Sequence, residues 1–600
     1  MSSASRMPFP ARSVLARARP LWPLLLALSV FLTSLAAALR GALRLTDGHL
    51  VYALDDAYIH MSVAKTLAAH GIWGCTPFHF SSSSSSLLWA FGLGVVDRAF
   101  GVHDSTPLIL NIAFAIGALL VAHVSLVRFG ATALLRASAL LGIVLAFPLV
   151  GMVLMGMEHI LHLLLTIAFA AVAVEALTSA EESPSLRRRR TWALCLLGAL
   201  LGASRYEGFF LIGLVCLAFA ARRQLLRAIP IGLASLLPVA AFGAISMANG
   251  SYFLPNPLMV KEASETASLT SALLKPFGRE DLAFLQNNRA MPILLVLGVL
   301  GMFAPWLARR GVWRPPVLLP LLLAAMIVVH GHFVFSPLYW TYRYDAYLVG
   351  FGIFAAAVTL VELRTPKALP RGAFPALLLA LVVPLVGDVS EGIVPEAEIE
   401  GMRGTYLEQY QTAELIRSYY PDAAVIVNDL GAVTYYTHAR ILDLVGLGDL
   451  EPLMIMRRTA YTSREVTAWT TPYRPKVAIV SLGWSFAAPL IPPEWVRVAV
   501  VEMPPHGHPV GFFAIDPNEG WALRSYVAEH FGPLSRTHGY RVKLRRAESM
   551  AASVLVSPAS PAGIESPPGL KPAIGGADTR APEPSTRATP AVSTVAGHKG

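Results

Sequence analysis

Leu87-Leu88-Trp89-Ala90-Phe91-Gly92-Leu93-Gly94-Val95-Val96 is the stretch on which the topology turns. As an α-helix of ten residues it extends about 15 Å, half of the roughly 30 Å of hydrocarbon in a bilayer. Read as a span, it would reverse the side of every later loop. Read as a short helix lying on the membrane surface, it leaves the later loops in one consistent arrangement. Arginines decide between the two. With spans at Leu21–Leu39, Leu108–Leu126, Ala137–Leu154, His159–Leu177, Trp192–Ala203, Phe209–Ala221, Ile229–Met247, Met291–Leu307, Val317–Phe335, Tyr347–Val361 and Phe374–Val386, every dense basic cluster lands on one side. Those clusters are Arg128 with Arg136, Arg187 to Arg190, Arg222 with Arg223 and Arg227, Arg309 with Arg310 and Arg314, and Arg364 with Lys367 and Arg371. Basic loops stay in the cytoplasm, so this side is the inner one, together with Arg6, Arg12, Arg17 and Arg19 of the N-terminus.

Composition points the same way. The mean hydropathy is +0.56 and 14% of residues are charged, values of a polytopic membrane protein. A pI near 9.5 would suit a nucleic-acid binder, but the arginines sit in short loops between apolar runs, so no nucleic-acid partner is expected. Cys75, Cys195 and Cys216 have no metal-ligand spacing, and neither a zinc site nor a disulfide is expected from them.

The expected architecture is a polytopic α-helical membrane protein with about 11 transmembrane helices and two surface helices in the first outer loop, followed by a soluble α/β domain. Residues 1–20 form the inner N-terminus, 21–388 the membrane part, 389–550 the outer domain and 551–600 a disordered tail rich in Pro, Ala, Ser, Thr and Gly. The first surface helix, Asp56 to His70, places Ile59, Val63 and Leu67 opposite His60 and Lys65 and stops at Gly71. Ser81 to Ser86 read as a mobile loop. In the outer domain a helix is expected over Tyr406–Tyr419, and strands over Ala424–Asn428, Ile441–Val445, Lys476–Leu482, Val496–Met503 and Val510–Ile515.

With that orientation the unusual polar residues at helix ends fall on the outer side: Asp55, Asp56, His60, Glu158, His159, Arg205, Glu207, Asn256, Lys261, His330, His332, Arg343 and Asp345. Ionisable groups at a membrane edge are functional hypotheses by default. Each also has a plain structural reading. Glu158 can cap a helix, Arg205 and Glu207 can be a simple ion pair, His330 and His332 can be interfacial polar groups, and Asp443 can be a turn or cap residue. Asp55-Asp56 is harder to dismiss, because two adjacent carboxylates beside a membrane are costly to desolvate and call for a wet cleft.

Asp55-Asp56-Ala57-Tyr58-Ile59, Ser85-Ser86-Leu87-Leu88-Trp89, Gly156-Met157-Glu158, Arg205-Tyr206-Glu207-Gly208, Leu254-Pro255-Asn256-Pro257 with Lys261, and Arg343-Tyr344 resemble, in order, the motifs of GT-C fold glycosyltransferases. The nearest resemblance is to the arabinofuranosyltransferase-like branch. Protein O-mannosyltransferases and lipid A aminoarabinose transferases are more distant. Asn428-Asp429-Leu430-Gly431 and Leu442-Asp443-Leu444-Val445-Gly446-Leu447 look like the outer domain of that branch. The chain departs from the branch at Leu87, Tyr206 and Pro257, where proline, proline and threonine are usual.

The resemblance implies a bacterial inner-membrane enzyme with its site and C-terminal domain on the periplasmic side. Such an enzyme takes a sugar from a polyprenyl-phosphate carrier and passes it to a glycan, lipid or protein acceptor, usually with inversion. Asp55 is then the candidate general base, and Asp56 its support or a ligand for a divalent metal. Arg205, Lys261 and Arg343 are the candidate donor-phosphate contacts, with His60, Glu158, Glu207, Asn256 and Tyr344 supporting. No cofactor is certain. The outer domain is expected to orient the acceptor. A transporter or flippase, or a non-catalytic membrane scaffold with an outer binding domain, remains an alternative. A transporter would place its ionisable groups near the midplane and show repeat symmetry.

Overall fold

The computed structural model describes residues 20–179, 182–264, 313–333, 343–363, 395–484, 487–503 and 507–546. The expected spans Met291–Leu307 and Phe374–Val386, and the segment 551–600, lie outside the described residues. The chain opens with helix α1 (Trp22–Leu45), followed by α2 (Asp56–His70) and α3 (Leu87–Phe100) in the first loop. Then come α4 (Thr106–Arg128), α5 (Ala133–Ala146), α6 (Leu149–Leu154), α7 (His159–Thr178), α8 (Pro184–Ser204), α9 (Gly208–Ala221), α10 (Leu225–Ala248) and α11 (Asn256–Ser264). Helices Pro315–Phe333 and Ala346–Leu363 complete the described membrane part.

Among the described residues α1, α4, α7 and α10 are long and apolar enough to cross a bilayer, and α5, α9, Pro315–His330 and Ala346–Val361 are shorter apolar helices. The chain is an integral membrane protein. Helix α7 runs through the interior, with 78% of its apolar window buried against 33% for α10. The expected single span Ala137–Leu154 is two helices, α5 and α6, parted at Phe147-Pro148. Proline disfavours helical backbone in the residue before it and cannot donate to the ladder.

The first loop differs from its expectation in two physical respects. Ser81 to Ser84 and Ser86 are buried rather than mobile. They are ordered because they satisfy neighbours: Ser81 Oγ accepts from Cys75 N–H at 3.2 Å, Ser84 Oγ meets His60 Nδ1 at 2.9 Å, and Ser86 Oγ caps α3 by accepting from Trp89 N–H at 3.3 Å. Helix α2 ends at the left-handed Gly71 as expected, yet it is buried on both faces, His60 included. On the face that the sequence pattern assigns to water, Lys65 meets Tyr435 of the C-terminal domain and His60 is enclosed by Ser84 and Glu158.

That domain is a six-stranded sheet in the order β2-β1-β3-β5-β4-β6, with β1 (Ala424–Val427), β2 (Arg440–Asp443), β3 (Val477–Ser481), β4 (Val496–Glu502), β5 (Val510–Ala514) and β6 (Arg541–Leu544). Strands β2, β1 and β3 are parallel; β5, β4 and β6 are antiparallel to their neighbours. Both faces of the parallel part are buried, which is why β1 and β3 read as unbroken apolar runs. Val425, Val427, Val477 and Ile479 share a core with the membrane helices, while Ala424, Ile426, Ala478 and Val480 pack with Leu442, Trp495 and Phe513 on the other face. The helix expected at Tyr406–Tyr419 begins earlier, as Glu396–Thr405, and passes through a π-helical turn, Tyr406–Tyr410, into Gln411–Tyr419.

Candidate active site

Asp55 is the N-cap of α2 and Asp56 its first residue. Successive residues on a helix turn by about 100°, so the two carboxylates leave the backbone in different directions. Asp56 points to the membrane helices and Asp55 to the C-terminal domain.

On the membrane side, Arg343 Nη1 donates to Asp56 Oδ2 at 2.6 Å and Arg343 Nη2 donates to Tyr344 Oη at 3.1 Å. The Arg343 side chain is 14% exposed and that of Asp56 43%. Behind this pair lies a dry cluster. Arg205 Nη1 donates to Glu158 Oε1 at 2.5 Å, and Nη2 and Nε reach the two oxygens of Glu207 at 2.7 and 3.3 Å. His60 Nε2 stands 3.6 Å from Glu158 Oε2. The Tyr344 ring lies 5.4 Å from the Arg205 guanidinium and 5.0 Å from that of Arg343. Gly156 makes the approach possible: its φ is +71° and an added Cβ would enter the Tyr52 ring. Tyr52 Oη accepts from Leu108 N–H at 3.0 Å and donates to Asp104 O at 2.6 Å, which anchors the loop that carries Asp55.

Two guanidinium groups thus face Asp56, Glu158 and Glu207, and their capacity differs. Arg205 spends all three of its nitrogens on carboxylates. Arg343 keeps a buried Nε–H with no acceptor among the described residues. A buried donor without a partner costs about 1–3 kcal/mol, and an anionic ligand would satisfy it.

On the other side, Asp55 Oδ2 and Oδ1 accept from Gly431 N–H at 2.6 Å and Ala432 N–H at 2.7 Å. Gly431 is required there, because a Cβ would run into the Asp55 carboxylate and backbone oxygen. Asp429 is a charged neighbour of Asp55, and Gln409 Nε2 donates to Asp429 Oδ2 at 2.6 Å. Burial, together with the neighbouring Asp429, holds Asp55 well above the usual carboxylate range. Asp429 also lines a small cavity with Glu408, Gln409, Asn428 and Ser481. Burial and Asp429 push Glu408 up to about 8.

Further contacts fasten the domain to the loop: Ser62 Oγ with Thr434 Oγ1 at 2.8 Å, Lys65 Nζ with Tyr435 O at 2.5 Å, and His79 Nε2 with Asp449 Oδ1 at 3.3 Å. Asp443 accepts from the N–H groups of Val445, Leu447 and Gly448, which is the loop-building role of a turn residue.

Of the residues singled out from sequence, Asp55, Asp56, His60, Glu158, Glu207, Arg205, Arg343 and Tyr344 gather in one place. Asn256 is a fastener: it receives a role at the domain contact, donating Nδ2–H to Leu447 O at 3.1 Å, while its backbone N–H donates to Ser82 O at 2.9 Å. His330 Nε2 pairs with Asp345 Oδ1 at 2.7 Å and its Nδ1 with Tyr347 Oη at 3.2 Å, all within the helices. The side chains of Lys261 and His332 lie outside the described residues. Among the described residues no three His, Cys, Asp or Glu side chains converge as metal ligands. Sequence reading missed Glu408 and Gln409, which carry no motif and meet the site only through the fold.

The family described as a domain of unknown function, DUF8728, matches residues 397–522. No curated protein matches the chain. Among solved structures, ArnT from Cupriavidus metallidurans bound to undecaprenyl phosphate aligns at 15% identity with a TM-score of 0.50, covering 82% of this chain and 98% of that one. The oligosaccharyltransferase AglB from Archaeoglobus fulgidus, in complex with an inhibitory peptide and a dolichol-phosphate, aligns at 11% identity with a TM-score of 0.43, covering 81% of this chain and 74% of that one. With an ArnT structure matched over nearly its whole length, this chain has the GT-C membrane fold.

Proposed function

We propose that the chain is a membrane glycosyltransferase that moves a sugar from a polyprenyl-phosphate carrier to a nucleophile, most simply a hydroxyl, of an envelope glycan, lipid or protein on the outer face of a bacterial inner membrane. The observation that carries this reading is the pairing of Asp56 with Arg343 beside the Arg205–Glu158–Glu207 cluster, with Asp55, the preceding residue, held against the C-terminal domain by Gly431 and Ala432. The undecaprenyl phosphate bound to the similar ArnT structure favours the same donor class here.

In this reading the acceptor oxygen attacks the anomeric carbon, the bond from that carbon to the phosphate oxygen breaks, and polyprenyl phosphate departs. Asp55 takes the acceptor proton. An ionised carboxylate offers about four lone-pair positions. Two of Asp55's are held by Gly431 and Ala432, and the acceptor hydroxyl would use another. Arg343 takes the phosphate through its unsatisfied Nε–H, and Asp56 holds the guanidinium in register. Lys261 is a second phosphate contact in the proposed site. Each nitrogen of Arg205 already donates to a carboxylate, so its part is to fix Glu158, Glu207 and the Tyr344 ring around the donor rather than to grip the phosphate first. A divalent cation at Asp56 would have to compete with Arg343.

The proposed orientation follows from α7 and α8, which form an antiparallel pair. Glu158 and Arg205 lie at one end, and Glu175, Glu182 and Arg187 to Arg190 at the other, about 30 Å away for a 20-residue helix. The basic end is inner by the positive-inside rule, so the site end is outer. Cysteine labelling from outside should modify an exposed thiol at Asn518→Cys and spare one at Ser185→Cys. The reverse would overturn the sidedness. The function itself is tested by mass spectrometry of lipid-linked sugars in a deletion strain: accumulation of one polyprenyl-phosphate sugar supports it, and an unchanged lipid-linked pool with unchanged envelope glycans counts against it.

A further inference from the structure

His60 follows Asp56 by one turn of α2, so the two side chains leave the helix on the same face. Asp56 ends on Arg343, and His60 ends on Glu158, with Nε2 standing 3.6 Å from Oε2. The hydrogen-bond network fixes which atoms of this second meeting carry hydrogen. Ser84 has one hydroxyl hydrogen, and Ser84 Oγ donates it to Ser86 O at 2.9 Å. The same Oγ stands 2.9 Å from His60 Nδ1, so Nδ1–H is the donor there and, in the neutral ring, Nε2 is a bare lone pair. Burial favours that neutral ring, against the pull of Glu158.

Glu158 Oε1 accepts from Arg205, while Oε2 is buried with no hydrogen-bond partner among the described residues. Two acceptors thus face each other with no hydrogen between them, at a separation beyond the usual length of an N–H···O bond. Neither can satisfy the other. A ligand that donates two hydrogens satisfies both. His159 adds the complement: Arg205 Nη1 stands 3.5 Å from His159 Nδ1, and a guanidinium only donates, so Nδ1 is the acceptor and Nε2 carries the hydrogen. That N–H is also buried with no acceptor among the described residues.

We propose that His60, Glu158 and His159 form the subsite for the donor's sugar ring. Two adjacent hydroxyls give their hydrogens to His60 Nε2 and Glu158 Oε2, and a sugar oxygen accepts from His159 Nε2–H. This deepens the glycosyltransferase reading and rests on it for the lipid-phosphate carrier. The spacing favours it. One turn of α2 advances about 5.4 Å from Asp56 to His60. A phosphate held at Arg343, the partner of Asp56, places its attached sugar about one turn along, because only the bridging oxygen and the anomeric carbon separate it from the first hydroxyl-bearing carbon. Hydroxyls on neighbouring carbons lie about a hydrogen-bond length apart, which suits two acceptors at 3.6 Å. The donor class selected is therefore a sugar with a free vicinal diol beside its anomeric carbon. A sugar lacking either hydroxyl leaves a buried acceptor bare, and a site built this way rejects it.

The test is binding to wild type in nanodiscs, measured for polyprenyl phosphate alone and for polyprenyl-phosphate mannose, glucose, galactose and xylose. The 2-deoxy and 3-deoxy forms of the tightest-binding sugar follow. One sugar should bind about tenfold or more tightly than the bare carrier, and both deoxy forms should forfeit that gain. In Glu158→Gln the carbonyl oxygen stays with Arg205 and the amide NH2 replaces Oε2, a donor where an acceptor is needed; His60→Phe removes the lone pair. Both variants should keep wild-type affinity for the bare carrier and lose the gain from the sugar. A melting midpoint measured alongside separates lost binding from lost fold, and the deoxy sugars probe the same contacts with no substitution. Deoxy sugars bound as tightly as their parent, or variants that weaken both ligands equally, would overturn the subsite and leave a water as the partner of these atoms. Wild type that binds polyprenyl phosphate and gains nothing from any sugar would overturn the subsite alone. Wild type that binds neither lipid would overturn the glycosyltransferase reading with it.

Discussion

Helices α7 and α8 carry an arginine–glutamate cluster at each end, and the two clusters are built from the same residue types in different surroundings. At the basic end, Arg190 (18% exposed) bridges Glu175 at 3.2 Å and Glu182 at 3.0 Å, Glu182 has Arg227 as a further partner at 3.1 Å, and the Arg128 and Arg187 side chains that complete the set are each 61% exposed. At the other end, Arg205 bridges Glu158 and Glu207, and no side chain of the three is more than 13% exposed. Ion pairs near water contribute little; ion pairs out of water are costly to assemble and costlier to break. The first set is what orients a membrane protein. The second is what a site looks like.

That contrast orders the expected effects. Arg205→Ala should be the largest perturbation, because it leaves Glu158 buried and unpaired. Breaking such a pair costs about 3–5 kcal/mol, read as a lower unfolding midpoint in detergent with loss of function. A midpoint within experimental error of wild type would erase the distinction between the two ends. Next comes pH. Glu408 is raised from its ordinary 4.5 to about 8 and Asp449 from 3.8 to about 8, each chiefly by burial. A raised acid binds its proton more tightly in the folded chain than in the unfolded one. The stability of the C-terminal domain should therefore be highest near pH 4 and decline as pH climbs to 8, by on the order of a few kcal/mol. Glu408→Gln should flatten that slope, and stability that rises over the same interval would contradict the burial argument.

Arg343→Lys keeps the charge and removes the fork and its Nε–H, so donor affinity should weaken by about tenfold with a smaller effect on the chemical step. Equal affinity would move the phosphate contact elsewhere. The smallest effect belongs to the basic end: Glu182 keeps Arg227 and Glu175 keeps the exposed Arg128, so Arg190→Ala should cost ~1 kcal/mol and leave donor affinity unchanged.

Much of this was legible in the sequence. Asp55-Asp56, Glu158, Arg205, Glu207 and Arg343 stand out as ionisable residues at the ends of apolar runs, and the runs of β1, β3, β4 and β5 are recognisable because β-branched or aromatic residues crowd them. Hydropathy carries that information locally. Partner choice is not local. Asp55 meets Gly431 across 376 positions and Asp56 meets Arg343 across 287, and nothing in either neighbourhood encodes the pairing. The same limit explains the serines: six in a row have the composition of a solvated loop, and only the buried His60 and Cys75 beside them show why they are inside. Asp429 shows the limit most clearly. From sequence it is one carboxylate in an outer domain with no partner base, and its charged neighbour Asp55 lies in the first loop of the membrane part.

The central claim is tested most directly by transfer from a synthetic polyprenyl-phosphate sugar in nanodiscs, with donor binding measured separately in wild type and Asp55→Asn. The substitution preserves size and removes the proton acceptor. The account predicts transfer by the wild type and a loss of about 10²- to 10⁴-fold in kcat for Asp55→Asn with donor affinity retained. Turnover by Asp55→Asn equal to that of wild type would contradict it.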